Sequence, residues 1–170
     1  MSSQPKILVV GSLVMDLIVS TDTFPHSGET VEGRSFQSAP GGKGANQAIQ
    51  AARLGADVTM VGKVGDDFFG QVLLKSIQAA GIHAEHLKVG SGYASAIGNI
   101  LLEPDGRGGS QNRIIVVPGA NAKISLDDIA FLEQAIGDYD MVMLQLEIPM
   151  EVNERVAELA AAAGVPVMLN

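Results

Sequence analysis

The run Pro40-Gly41-Gly42-Lys43-Gly44-Ala45-Asn46-Gln47 joins backbone freedom to a cation and an amide. Three glycines in four positions let a ligand approach the main chain. The segment that follows, with Ala48, Ile49, Ala51, Ala52 and Leu54, reads as a helix stopped by Gly55. The first N–H groups of such a helix are unpaired donors at the positive end of its dipole. Lys43 adds a point charge, and Asn46 adds both a donor and an acceptor, a set suited to a hydroxyl-rich or anionic ligand. A plain turn before a helix is the competing explanation. Two carboxylates also stand out of pattern. Asp16 lies among Leu13, Val14, Met15, Leu17 and Ile18, so it is either a ligand group or an edge-strand charge turned to solvent. Glu147 follows the apolar run Met141 to Leu146, at the carboxyl end of an expected parallel strand. Open α/β sheets bind ligands at that edge; the alternative is a solvated loop acid. Carboxylates accept hydrogen bonds from adjacent hydroxyls, so Asp16 and Glu147 with Lys43 and Asn46 make a donor and acceptor set for a sugar.

Other chemistries fail on spacing. A dinucleotide fold needs G-x-G-x-x-G after its first strand, and Gly11 stands there alone. A P-loop needs G-x-x-x-x-G-K-[ST]; here Gln37 occupies the first Gly position and Gly44 follows Lys43. The absence of Cys removes disulfides, thiolate metal sites and a thiol nucleophile. His83 and His86 have no third ligand beside them, which argues against a metal site, and His26 is a turn residue. Asp66 and Asp67 read as helix caps. Gly119-Ala120-Asn121 stays open between a plain turn and a functional loop.

The elements that must position these groups alternate. Ile7 to Val10 is a short buried strand, and Val58 to Val61 is a second. The helix after Gly44 lies between them, and another, capped at Asp66 or Asp67 and ended by Gly81, follows. Strand, helix, strand, helix implies right-handed crossovers and a parallel sheet. Leu13 to Val19 with Glu29 to Phe36, and Ala94 to Glu103 with Arg113 to Val117, read as two antiparallel ribbons, the second joined by the turn-rich stretch 104–110. Ser125 caps a further helix with Asp128 three residues on. Met141 to Leu146 is a strand, Pro149 opens a helix ended by Gly164, and Val165 to Leu169 begins one more strand. The 170 residues are 46% hydrophobic and 18% charged, with seven aromatic side chains, so the core is aliphatic. A formal charge of −8 argues against a nucleic-acid or anionic-membrane partner. No stretch approaches about 18 consecutive apolar residues, and a cytoplasmic location is the expectation.

The glycine run with Gly55 and Gly65 downstream resembles the first consensus of the ribokinase-type carbohydrate kinases. Gly11-Ser12 with Asp16, Pro25 with Gly28-Glu29-Thr30, Lys63 to Asp67, Pro118 to Asn121 and Leu144 to Glu147 are similar to that family in order and spacing. The resemblance implies a doubly wound, largely parallel α/β sheet with a small β lid, truncated on its C-terminal side. Residues 1–170 would be the N-terminal part of one such domain, with lid segments at approximately 13–40 and 94–118. It implies ATP-dependent phosphorylation of D-ribose at the 5-hydroxyl, with a kinase for 2-deoxyribose, another pentose or a nucleoside as the nearby alternative. Asp16, Gly42, Lys43, Asn46 and Glu147 would hold the sugar, and Gly41 with Gly42 would form the lid hinge. The family's catalytic base, its ATP pocket and its Mg2+ and K+ sites would lie beyond Asn170, so this chain alone would be inactive. Such lids pair in homodimers. Val14 departs from the family, where many members place an Asn that reaches the sugar. A non-catalytic sugar-binding module remains the reading from a different class.

Overall fold

The computed structural model describes residues 4–104 and 106–170; Met1 to Ser3, and Asp105 of the predicted turn, lie outside them. In chain order the strands are β1 (Lys6–Val10), β2 (Val14–Thr21), β3 (Gly33–Gly41), β4 (Asp57–Gly65), β5 (Leu87–Gly90), β6 (Ala96–Pro104), β7 (Ser110–Val117), β8 (Met141–Leu144) and β9 (Val167–Leu169). The helices are α1 (Lys43–Arg53), α2 (Phe68–Ala79), α3 (Leu132–Ala135) and α4 (Met150–Ala163). Five strands form one parallel sheet in the order β5-β4-β1-β8-β9. Successive residues of a strand point to opposite faces, and β1 shows the consequence. Val9 packs with Val58 and Met60 under Ala45, Ala48, Leu73 and Ile77 of α1 and α2. Leu8 and Val10 pack with Val142 and Leu144 over Leu132 of α3 and Val152, Val156 and Ala160 of α4. The sheet is therefore covered on both faces, as the expected doubly wound class requires. No helix among the described residues is long and apolar enough to cross a membrane.

The other four strands form a second sheet in the order β3-β2-β6-β7. Both expected ribbons are antiparallel, β2 with β3 and β6 with β7, and β2 joins β6 in parallel. The register sets Asp16 beside Gly98, and Gly98 beside Val116. Val14, Asp16, Gly98, Ile100, Ile114 and Val116 therefore share one face.

Several boundaries differ from the sequence expectation. The strand read over Glu29 to Phe36 lies at Gly33–Gly41, because β3 is an edge strand, where Pro40 removes no needed ladder donor. Helix α1 begins at Lys43 with Gly42 as its N-cap, so Gly44 sits in the first turn rather than ahead of the helix. After Ser125 there is no full helix, only a 3-10 turn at Leu126–Ile129, the short α3 and a 3-10 turn at Ile136–Asp138. Ile129, Leu132 and Ile136 of this stretch are nonetheless buried in the core that α4 covers. The strand at Met141 stops at Leu144 instead of Leu146. The Gln145 carbonyl leaves the ladder to accept from Asn153 Nδ2 of α4 at 2.8 Å. Strand β5, four residues long, had no sequence counterpart.

Candidate functional site

Asp16 sits mid-strand in β2, half-buried between two glycines. A Cβ added at Gly98 would lie 2.8 Å from Asp16 Oδ1, and one at Gly41 would lie 2.5 Å from Oδ2. Only bare backbone on the neighbouring strands leaves room for this carboxylate. Burial first, and then the Glu147 charge, push the Asp16 carboxyl above its ordinary value. The two acids predicted from the sequence therefore act on the same space.

Glu147 reaches that space from the loop between β8 and α4. Its Oε2 accepts from the Lys43 N–H at 3.1 Å and from the Ser12 hydroxyl at 2.6 Å. Ser12 Oγ in turn accepts from the Gly44 N–H at 3.2 Å, and the Ser12 carbonyl accepts from the Ala45 N–H at 2.9 Å. This corrects the sequence expectation that the first N–H groups of α1 stand free for a ligand. They are taken by the chain's own carboxylate and serine, a placement that the positive end of the helix favours. Gly42 makes the close approach possible. Its φ is 95°, and an added Cβ would lie 2.8 Å from the Val14 nitrogen.

These groups enclose a cleft of about 240 Å3 between the second sheet and the start of α1, lined by Val14, Asp16, Gly42, Lys43, Asn46 and Glu147 with four apolar or glycine residues of β6 and β7. Of the six predicted residues, only Gly41 is absent from its wall; it stands behind Asp16. Lys43 Nζ lies 3.8 Å from Glu147 Oε1, with both side chains partly exposed. The helix side of the cleft, with Lys43, Asn46 and Glu147, is polar and charged, while on the sheet side Asp16 stands among the aliphatic Val14, Ile100, Ile114 and Val116. Carboxylates and an amide can take hydroxyls while the aliphatic wall packs against carbon.

Other singled-out residues lie elsewhere and hold structure. Asp67 caps α2 through the Gly70 N–H at 2.7 Å and also accepts from the Ser95 N–H and hydroxyl, both at 2.7 Å. Burial works to raise its carboxyl, but the Ser95 and Gly70 bonds outweigh it and the net shift is downward. Asp66, the other candidate cap, is exposed and does not cap α2. His83 pairs with Asp57 at 2.8 Å, and His86 stacks on Phe131 with ring centroids 3.6 Å apart. Asn121 is buried, donates to the Leu13 carbonyl at 2.9 Å and accepts from the Leu13 N–H at 3.1 Å, which makes it a clamp rather than a plain turn. The sequence expectation did not assign Ser12 or Gly98 to the site. A hydroxyl directly after a buried strand and a glycine inside a strand were the available signals.

Residues 4–170 match the pfkB family carbohydrate kinase model. A ribokinase of Bacillus subtilis is 43% identical over 165 residues, covering 97% of this chain and 55% of the relative. A deoxyribokinase of Salmonella typhi is 34% identical, covering 96% and 52%. The solved structure of an Arabidopsis thaliana ribokinase complexed with ribose and ATP superimposes with a TM-score of 0.83 at 34% identity, covering 98% of this chain and 53% of that one. The chain thus spans about half the length of the curated relatives it matches. A cleft with two carboxylates lies in this fold, and the family match runs over nearly the whole chain, which belongs to the pfkB family of carbohydrate kinases.

Proposed function

We propose that the cleft binds a pentose, D-ribose first, and that the chain is the sugar-binding part of a kinase that phosphorylates the 5-hydroxyl with ATP. The observation that carries this is the convergence of Asp16, Gly42, Lys43, Asn46 and Glu147 on one cleft of about 240 Å3. Asp16 and Glu147 accept from sugar hydroxyls, Asn46 donates and accepts, and Lys43 adds positive charge. The second sheet serves as a lid hinged at Gly41 and Gly42, and its closure excludes water from the transfer. Lids of two subunits pair through their exposed strands, among which Ile115 and Val117 of β7 are solvent-facing. Among the described residues no group of three or more His, Asp or Glu side chains can hold a metal ion. In this scheme ATP, Mg2+ and K+ are held by the remaining part of the kinase, and the enzyme works in the cytoplasm, where ATP is supplied.

The second reading, 2-deoxyribose, is favoured by one observation: Val14 lines the cleft and offers no hydrogen bond. A site that bonds a hydroxyl rejects an analogue lacking it, because its own polar group is left unpaired. Val14 carries no such penalty. The test compares kcat/KM for ribose and 2-deoxyribose in the complete enzyme and its Val14→Asn variant. Substitution is expected to move the ratio several-fold toward ribose, on the order of 1 kcal/mol. An unchanged ratio places Val14 away from the 2-position, and ribose 5-phosphate made by the 170-residue chain alone contradicts the division of labour.

A further inference from the structure

We propose that Ser12 is a positioning residue for Glu147, deciding which carboxylate oxygen the cleft offers to a ligand. This rests on the reading of Glu147 as a ligand group. Ser12 follows β1 at the carboxyl edge of the parallel sheet and is completely buried. Its hydroxyl makes two bonds at once: it accepts from the Gly44 N–H and donates to Glu147 Oε2. A hydroxyl carries one proton. With one lone pair taken by Gly44, that proton is directed at Glu147, so the helix start orients the serine and the serine orients the acid. Oε2 is then occupied twice, by Ser12 and by the Lys43 N–H. Oε1 has Lys43 Nζ at 3.8 Å and is the oxygen left for a sugar hydroxyl. The terminal torsion of a glutamate is broad. With the serine bond gone, one backbone bond remains and the carboxylate can turn its second oxygen away from the cleft.

The alternative is that Ser12 serves only to satisfy the Gly44 N–H, and two measurements on the 170-residue chain separate the cases. The first needs no ligand. In an acid titration followed by NMR, the Lys43 amide reports on Glu147 directly and the Gly44 amide reports on it through Ser12. Both are expected to follow the Glu147 carboxylate in the wild type. In Ser12→Ala the Lys43 amide keeps this response and the Gly44 amide loses most of it; Ser12→Thr, which keeps the hydroxyl, restores it. A Gly44 response that survives Ser12→Ala overturns the proposal. The second is D-ribose affinity by calorimetry. Ser12→Ala is expected to weaken it on the order of tenfold, and Ser12→Thr by much less. In a Glu147→Ala background Ser12→Ala is expected to change affinity by less than about twofold, because the serine has nothing left to orient. A loss as large in that background as in the wild type assigns Ser12 to the helix alone. If the wild-type chain binds no ribose, the proposed function fails, and the amide titration still decides the role of Ser12.

Discussion

If the proposed function holds, Asp16 is the residue where stability and binding pull in opposite directions. Burial and the neighbouring Glu147 raise its carboxyl, so the folded chain holds that proton more tightly than the unfolded chain does. The stabilising part of this linkage is present below the ordinary aspartate value and is lost as pH rises through the raised folded value. At neutral pH the ionised Asp16 therefore destabilises the empty chain, while in the proposed function it is the charged acceptor for a sugar hydroxyl. Asp16→Asn is expected to raise the melting temperature at neutral pH, with the gain vanishing on acidification through the carboxylate range. The same change is expected to weaken ribose binding by roughly 1.5–3 kcal/mol for each hydrogen bond to the charged group that is lost. A lower melting temperature with unchanged affinity would make Asp16 a structural acid. Both acids were legible in the sequence because a charge among aliphatic residues breaks a short-range pattern. Ser12 was not, since its partner Glu147 is 135 residues away, and Gly98 was not, since only the β2–β6 register shows what it faces.

At the scale of elements, the junction between the two sheets depends on Asn121. Leu13 is buried where the chain leaves β1 for β2, and the Asn121 amide gives its N–H and carbonyl the bonds a neighbouring strand would have supplied. Asn121→Ala leaves both backbone groups buried without those partners. An unsatisfied buried group costs about 1–3 kcal/mol, so a loss of about 2–4 kcal/mol is expected in urea unfolding of the chain. A change within about 0.5 kcal/mol would show that the junction holds without the clamp. The alternation of buried strands and helices in the parallel sheet was legible from β1 through α2 and at α4, because apolar runs and glycine stops are local. Less local features were not. Strand β5 pairs only with the last four residues of β4, and with Lys88 and Val89 exposed it has too little apolar pattern to register. The segment after Ser125 has its capping box, but the short turns that follow are set by packing on α4.

At the scale of the molecule, the cleft lies where the second sheet meets the covered parallel sheet, and each contributes part of it. Asp16, Gly98 and the aliphatic wall come from the second sheet, while Lys43, Asn46 and Glu147 come from the helix start and loop at the edge of the first. A sugar that touches both would hold them together, so binding also reports on how the two sheets are arranged. The most direct measurement is a calorimetric titration of D-ribose into the 170-residue chain and its Glu147→Ala variant, with melting temperatures recorded for both. Saturable one-to-one binding by the wild type, weakened at least about tenfold in the variant at little cost in melting temperature, is the expected result. No saturable binding by a folded wild-type chain, or binding that Glu147→Ala leaves unchanged, would contradict a sugar site in this cleft.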